Sequence, residues 1–551
     1  MSRVVIVGID GMTPELVERW MDEGYLPCFQ SFRRRGVWGW LASTNPPFSA
    51  PAWTSIVTGC DPGRHGVYGF ERTDTLEQHL ISSRYRRVPA IWNFLTDIGL
   101  RSIVVNVPGT YPPERINGVM ITGLLTPSSN SDFTYPRNIR DRLRSEDLGE
   151  YELEQLWVDD FSRSYMIRHD PNRLLSRIIR SMSSHARVTL NLMKQFNWDF
   201  TMVVLRELDT AQHFFFNRKD LLLSCYEKVD EIVDEMLSSF PDAVFFIVSD
   251  HGFEEIKKIL YPDNVLYNAG FLKPVHPPYR NPLSLLFSIL FNMHIHGRLG
   301  VLLNEILSRS DFARKIFFSG SSKSRLIDFS KTMAFSTADG RGIRICSRDK
   351  YHMGIVDPDV YEKTCLEIIR LFKDVRDPIS DEEVVDDVLR CDQVYGKDAW
   401  HPPDLILRLK RGVTAMEWLR SSDSLNGYSE FINRSLPPVF YNDPAGRSGD
   451  HAPFGVFFGQ GKGIRSGYEI RNIGVEDVLP LVFAALGLPL PENIDGRLHE
   501  DVFVEKPRVT RIDWSQYVSS KKVLLDAEKE KILDLRKKIN LNGEKYQYNK
   551  G

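Results

Sequence analysis

The stretch AVFFIVSDHGF at residues 243–253 decides the fold class, because a continuous apolar run ends at an acid, an imidazole and a glycine. A strand that is buried on both faces is apolar throughout rather than alternating, so this run predicts a central strand of a parallel sheet. In such sheets functional groups collect just beyond the carboxyl ends of the strands. We therefore expect Asp250 and His251 at a functional edge, where Gly252 lets the chain turn.

Similar β-branched runs recur outward from this stretch, with helical patterns between them. They lie at residues 4–9, 102–107, 119–122, 201–205, 244–249, 404–409 and 455–458. This alternation predicts an α/β fold in which a mostly parallel sheet is covered by helices on both faces.

Residues 260–330 interrupt the alternation, with a Pro-rich PVHPP segment at 274–278, and predict a mainly helical insertion. The predicted organisation is a core at 1–259 and 331–505, this insertion, and a C-terminal helical tail at 506–551. The insertion leaves the sheet shortly after His251, so we expect it to form a cap over the carboxyl ends of the strands.

The composition indicates an ordinary globular protein, with 42% hydrophobic and 26% charged residues. Lys and Arg number 70 against 73 Asp and Glu, and the net charge of -3 gives no overall attraction to nucleic acid. The six cysteines have no CxxC spacing, which favours reduced thiols. The N-terminus lacks a signal-peptide pattern, which favours a cytoplasmic location. The apolar segment at 283–293 is too short to span a membrane, although it leaves peripheral membrane contact open.

Three further polar clusters lie at the ends of predicted strands. Asp10 follows the strand in VVIVGIDGM, Asp209 and His213 lie one helical turn apart in RELDTAQHFFF, and His451 precedes a strand in GRSGDHAPFGVFF. Each has an ordinary structural alternative: a capping Asp, a solvated helix start, or a hydrogen-bonded His. With Asp250 and His251 they make three carboxylates and three imidazoles, which predict a site for two divalent ions, zinc or manganese.

The segment SAPAWTSIVTGCDPGRHGVYGF at residues 49–70 carries a specific resemblance. Ser49 stands ten residues before Gly59 of a Thr-Gly pair, and Pro51 follows it. This spacing resembles the nucleophile motif of the alkaline phosphatase superfamily, nearest its type I phosphodiesterase and nucleotide pyrophosphatase branch and the phosphohydrolases and phosphomutases grouped with it.

The resemblance implies a two-metal phosphohydrolase that cleaves a small-molecule phosphate ester through a phosphoserine on Ser49, with phosphodiesters favoured over monoesters. It implies one ion held by Asp10, Ser49, Asp250 and His251, and a second ion held by Asp209, His213 and His451. A metal-dependent phosphomutase or phosphotransferase would share these residues and stays open as an alternative. A catalytically silent metal-binding module is disfavoured, because a degenerate site is expected to lose part of this set.

Two positions depart from relatives within the superfamily. Nucleotide pyrophosphatases carry an Asn 21 residues after the nucleophile, where this chain has Phe70, so a nucleotide substrate does not follow from the motif. Sulfatases carry an Arg four residues after theirs, where this chain has Trp53, which disfavours sulfate esters. Thr54 fits a position in the wall of the site better than that of the nucleophile, and we expect His65 to be hydrogen-bonded within its own loop.

Overall fold

The computed structural model describes residues 2–77, 79–145, 147–153, 170–274, 327–416, 439–440 and 446–517. Most of the insertion predicted at 260–330, including the apolar segment at 283–293, lies outside these residues. Most of the tail predicted at 506–551 lies outside them as well. The cap and the tail helix therefore stay predictions.

The strands are numbered here in chain order. The first are β1 (Val4–Ile9), β2 (Val37–Ala42), β3 (Ser102–Val107), β4 (Gly118–Thr122), β5 (Thr134–Tyr135), β6 (Phe200–Leu205), β7 (Val244–Val248), β8 (Gly252–Glu255), β9 (Lys258–Leu260), β10 (Ala334–Ser336) and β11 (Gly342–Ile345). The others are β12 (Val385–Arg390), β13 (Leu405–Leu409), β14 (Val413–Ala415), β15 (Val439–Phe440), β16 (Gly449–Ala452), β17 (Phe454–Gln460), β18 (Tyr468–Glu469), β19 (Ile473–Gly474), β20 (Leu490–Pro491) and β21 (Arg511–Ile512).

The described α-helices alternate with these strands, as the sequence pattern predicts. They are Pro14–Asp22, Pro27–Arg35, Ser49–Thr58, Pro62–His65, Ile91–Asp97, Asn138–Arg144, Pro171–Gln195, Glu207–Phe215, Lys219–Ser239, Pro262–Asn268, Pro358–Lys373, Cys391–Val394 and Val478–Leu486. Among the helices that the structure describes, none is long and apolar enough to cross a membrane.

A ten-stranded mixed sheet forms the centre of the molecule, in the order β18-β2-β17-β7-β1-β6-β3-β4-β5, with β19 also paired to β2. The neighbours from β7 to β4 run parallel, whereas β17 is antiparallel to both β7 and β2. The α/β class and the mostly parallel sheet are thus confirmed. The strand predicted at 404–409 forms as β13, but it belongs to a separate antiparallel sheet of β10, β11, β13 and β12.

The central parallel strands β1, β3, β6 and β7 are buried on both faces, which explains why they are largely apolar along their whole length. In β1, Val5, Val7 and Ile9 join one hydrophobic cluster, whereas Val4 and Ile6 join another on the opposite face. Successive side chains of a strand point to opposite faces, so only a continuously apolar strand satisfies both clusters. The carboxyl ends of the parallel strands are the positions where polar side chains can gather.

The separate antiparallel sheet has its own hydrophobic cluster, formed with the helices Pro358–Lys373 and Pro262–Asn268. Its β10–β11 turn reaches the small two-stranded sheet of β16 and β8, because the Arg341 guanidinium in that turn contacts Asp450 in β16. The second sheet thereby borders the edge where the polar residues collect.

Candidate active site

Asp10 and Asp250 emerge from neighbouring parallel strands at the same level. Strands β1 and β7 pair with Gly8 opposite Val248, so the acids that follow them leave the sheet side by side. The Gly11 N–H donates to Asp250 Oδ1 at 3.1 Å and links the two turns. Gly11 has a φ of +76°, and an added Cβ would lie 2.5 Å from the ring of Phe253. The turn that presents Asp10 therefore requires glycine.

Asp209 and His213 lie on the helix that follows the next parallel strand, β6. They occupy positions i and i+4 of Glu207–Phe215, so both side chains lie on one face of the helix. Asp209 Oδ1 is 3.5 Å from His213 Nε2. Asp209 and His213 therefore lie one helical turn apart on the same face of the helix, as the sequence spacing predicts.

His451 reaches the same place from a distant part of the chain. It lies in β16, which pairs antiparallel with β8 so that His451 is opposite Phe253. His451 Nε2 is 3.4 Å from Asp209 Oδ1, and its ring centroid is 4.1 Å from that of His251. His451 thus brings the helix of Asp209 and the turn of His251 together.

The side chains form three overlapping groups in which the potential ligand atoms lie within 4.8 Å of one another. These groups are Asp10, Asp250 and His251; Asp209, His251 and His451; and His213, Asp450 and His451. The structure therefore brings together all six of the Asp and His residues that the sequence singles out. Asp450 is an additional member that the sequence analysis did not name.

Ser49 is the first residue of the helix Ser49–Thr58 and points at the first of these groups. Its Oγ is 3.1 Å from His251 Nε2 and 3.4 Å from Asp10 Oδ1. By contrast, the hydroxyls of Thr54 and Thr58 each donate at 2.7 Å to the helix carbonyl four residues earlier. Ser49 is thus the hydroxyl of this helix that faces the carboxylates and imidazoles.

Burial sets the protonation of the cluster. Burial, and then the charges of Asp250 and Asp209, raise the pKa of Asp10 well above its usual range. Burial also raises the pKa of Asp250 to about 7, although the Gly11 N–H opposes this shift. At Asp209 burial is outweighed by His213, His451 and Arg206, which lower the pKa.

Burial acts in the opposite direction on the imidazoles, because it penalises their charged form. It lowers the pKa of His213 to about 4 and, together with His451, that of His251 well below its usual range. Both rings are therefore neutral at pH 7, and neutral imidazole is the form that binds metal ions.

Two carboxylate oxygens of the cluster indicate that the residues fit cations. Asp209 Oδ1 and Asp250 Oδ2 are buried and accept no hydrogen bond from the described residues, although imidazole Nε2 atoms lie 3.2 to 3.5 Å from them. A buried carboxylate oxygen without a partner is costly, and a coordinated cation would remove that cost. Carboxylates and neutral imidazoles are also the donor set that zinc and manganese accept.

Two residues outside the predicted set contact the carboxylates. The indole N–H of Trp53 donates to Asp10 Oδ2 at 3.0 Å, and Arg206 Nη1 donates to Asp209 Oδ2 at 3.2 Å. Trp53 stands one helical turn after Ser49, and this spacing was the available sequence signal. His65, in contrast, is buried at 3.0 Å from Ser55 Oγ and accepts from the Val67 N–H, within its own loop as expected.

This α/β architecture, with polar side chains gathered at the carboxyl ends of its parallel strands, is that of the alkaline phosphatase superfamily. The model of the type I phosphodiesterase / nucleotide pyrophosphatase family matches residues 4–417, and the chain belongs to that family. The family hydrolyses phosphoesters and is typically metal-dependent. The match includes Asp10 to His251 and ends before His451. Comparison with curated proteins gives no match.

Proposed function

We propose that the protein is a two-metal phosphohydrolase that cleaves phosphodiesters in preference to monoesters through a phosphoserine on Ser49. The observation that carries this proposal is the position of Ser49 Oγ, within 3.4 Å of both Asp10 Oδ1 and His251 Nε2. A serine hydroxyl is a weak nucleophile, and a metal ion that these neighbours hold can activate it without a general base.

Seven residues would hold the ions. The first ion would use Asp10, Ser49, Asp250 and His251. The second would use Asp209, His213 and His451, since Asp209 Oδ1 faces Nε2 of both rings at 3.5 and 3.4 Å. Divalent ions held there, zinc or manganese, supply positive charge to a phosphoryl group and favour the deprotonated serine oxygen. The neutral imidazoles and the buried, partnerless oxygens of Asp209 and Asp250 support this assignment.

The chain's own residues perform two displacements. Ser49 Oγ attacks phosphorus, so that a bond from Oγ to phosphorus forms and the bond from phosphorus to the leaving oxygen breaks; the proton that Ser49 loses ends on the leaving alcohol. Water then attacks phosphorus from the opposite side and the bond from Oγ to phosphorus breaks. The water oxygen stays on the phosphate product, and one water proton returns to Ser49 Oγ. Ser49 lies at the N-terminus of a helix, where the backbone N–H groups carry partial positive charge. This charge stabilises the negative charge that develops on the phosphoryl group during the displacement.

The preference for diesters is supported by the match to the type I phosphodiesterase family, and an apolar wall near the cluster is compatible with it. Phe70 stands where nucleotide pyrophosphatases carry an Asn, and its ring packs 5.1 Å from that of Phe48. The Phe48 ring in turn lies 5.5 Å from that of His451. This apolar wall offers no hydrogen-bond donor to a further charged oxygen, which disfavours the dianion of a monoester.

Turnover of zinc- or manganese-loaded protein on bis-p-nitrophenyl phosphate and p-nitrophenyl phosphate tests this proposal. We expect faster release of nitrophenol from the diester and close to two metal ions per chain. Ser49→Ala should lose most turnover, several kcal/mol of barrier by analogy with other nucleophile deletions, while it retains metal. Thr54→Val is the matched control on the same helix and should be mild, because its hydroxyl bonds to a helix carbonyl.

Three outcomes would contradict the proposal. They are near-normal kcat in Ser49→Ala with normal metal content, a trapped phosphoenzyme that maps to Thr54, and a metal content near zero after loading. Transfer of the phosphoryl group to an acceptor alcohol, with no release of free phosphate, would instead identify a phosphotransferase or phosphomutase, which shares these residues.

A further inference from the structure

Two of the three histidines in the cluster have their Nδ1 atom at a backbone carbonyl. His213 Nδ1 is 3.0 Å from the Gly449 carbonyl oxygen, and His251 Nδ1 is 3.1 Å from that of Gly252. A carbonyl oxygen only accepts, so each Nδ1 carries the proton and donates it. The Nε2 lone pair of each ring is thereby free to face the carboxylates.

The third histidine, His451, has a carboxylate on the same side of its ring. His451 Nε2 faces Asp209 Oδ1 at 3.4 Å, whereas His451 Nδ1 faces Asp450 Oδ1 at 4.0 Å. Asp450 therefore occupies, for His451, the place that backbone carbonyls occupy for the other two rings. The separation is about 1 Å longer than a hydrogen bond, so the proposed contact requires the two side chains to move closer when the ion binds.

Asp450 is itself held by residues from two other sheets, Arg341 in the β10–β11 turn and Thr414 in β14. Its Oδ2 accepts from Arg341 at 2.8 Å and from the hydroxyl of Thr414, and the Asp450 side chain is about one-tenth exposed. Arg341 also donates to the His451 carbonyl at 3.3 Å. Two partners from outside β16 thus fix the carboxylate next to the ring.

We propose that Asp450 is a positioning residue that accepts the Nδ1 proton of His451 and so presents Nε2 to the second metal ion. This inference rests on the proposed two-metal function. A direct ligand role is the competing one, because Asp450 lies in a group with His213 and His451. The geometry disfavours that role, because Asp450 Oδ1 faces the Nδ1 side of the His451 ring, whereas Asp209 lies at Nε2. Asp450 Oδ2 is already held by Arg341 and Thr414.

Zinc titration of the full chain against a chromophoric chelator tests the role of Asp450. In Asp450→Asn we expect the affinity for one of the two zinc ions to fall 10- to 100-fold, as for other outer partners of metal-bound histidines, with the other affinity unchanged. X-ray absorption of the fully loaded variant should show an unchanged first shell. Thr414→Val should give a smaller loss at the same zinc ion, and it serves as the second variant if Asp450→Asn does not fold.

Asp477→Asn is the matched control, because Asp477 is buried and contacts both His499 and Arg497 but belongs to none of the three groups. It should leave both zinc affinities unchanged. Unchanged affinities in both Asp450→Asn and Thr414→Val, or the loss of one oxygen from the zinc shell, would overturn the assignment. Wild-type protein that binds no zinc would overturn the proposed function and the assignment together.

Discussion

Trp53→Phe separates the two contributions that one buried side chain makes to the site. Trp53 is fully buried, and its indole N–H donates to Asp10 Oδ2 at 3.0 Å. Its ring also fills the space above Gly8, where an added Cβ would lie 2.4 Å from the ring edge. Phenylalanine keeps an aromatic ring on the helix but removes the N–H and the part of the ring system that carries it.

The magnitude follows from these two losses. A buried acceptor left without its donor costs about 1 to 3 kcal/mol, and a smaller buried ring costs roughly 1 to 2 kcal/mol more. The free energy of unfolding should therefore fall by roughly 2 to 5 kcal/mol. Asp10 would also lose the donor that orients it, so zinc affinity should fall by about 10- to 100-fold.

Urea unfolding of the metal-free protein and zinc titration measure these two effects separately. Trp92→Phe is the matched control, since Trp92 is also fully buried, packs in the same hydrophobic cluster, and donates its N–H to Glu114 at 2.5 Å. Both variants should lose similar stability, but only Trp53→Phe should bind zinc more weakly. Equal zinc affinities in the two variants would refute the role assigned to the Trp53 N–H.

Three other predictions concern protons and the apolar wall. Zinc binding should release more protons at pH 6 than at pH 8, because the pKa of Asp250 is raised to about 7. Calorimetry in buffers of different ionisation enthalpy measures the number of protons released, and equal numbers at the two pH values would contradict the prediction. Burial lowers the pKa of His65 to about 3, so its contribution to stability is complete above about pH 6.5 and declines as the pH falls. The free energy of unfolding measured in urea should fall between pH 7 and pH 5, and in His65→Gln this fall should be smaller by about 2 kcal/mol. A fall of the same size in the variant and the wild type would argue against a neutral His65. Phe70→Asn should raise monoester relative to diester turnover, and an unchanged ratio of kcat/KM would show that the wall does not select.

The central strands were predictable because their burial leaves a direct record in the sequence. The bounds 4–9 and 102–107 agree with β1 and β3, since each strand has clusters on both faces. The strand β2 was not predicted, because VWGWLA alternates in burial and leaves Trp40 exposed. The apolar run at 404–409 gave a strand but could not say which sheet would hold it.

The candidate site likewise contains residues that the sequence could predict and contacts that it could not. Asp10, Asp209 and Asp250 were predictable because they follow buried strands, and the topology of a parallel sheet brings such positions together. The contacts of Trp53 with Asp10 and of Asp450 with Arg341 were not, because each joins side chains that are far apart in the sequence. Strand β16 contains Gly449 and Asp450, which are poor strand formers, and its conformation comes from pairing with β8.

The order in which the ribosome makes the chain conflicts with the order of the central sheet. Strand β2 is complete at residue 42, but its partners β17, β18 and β19 begin only at residues 454, 468 and 473. At about 5 to 20 residues per second, this gap leaves β2 without its sheet neighbours for roughly 20 to 80 s. An unpaired apolar strand edge invites pairing with other chains. The newly made protein therefore has a long interval in which a chaperone that covers residues 37–42 would raise its yield.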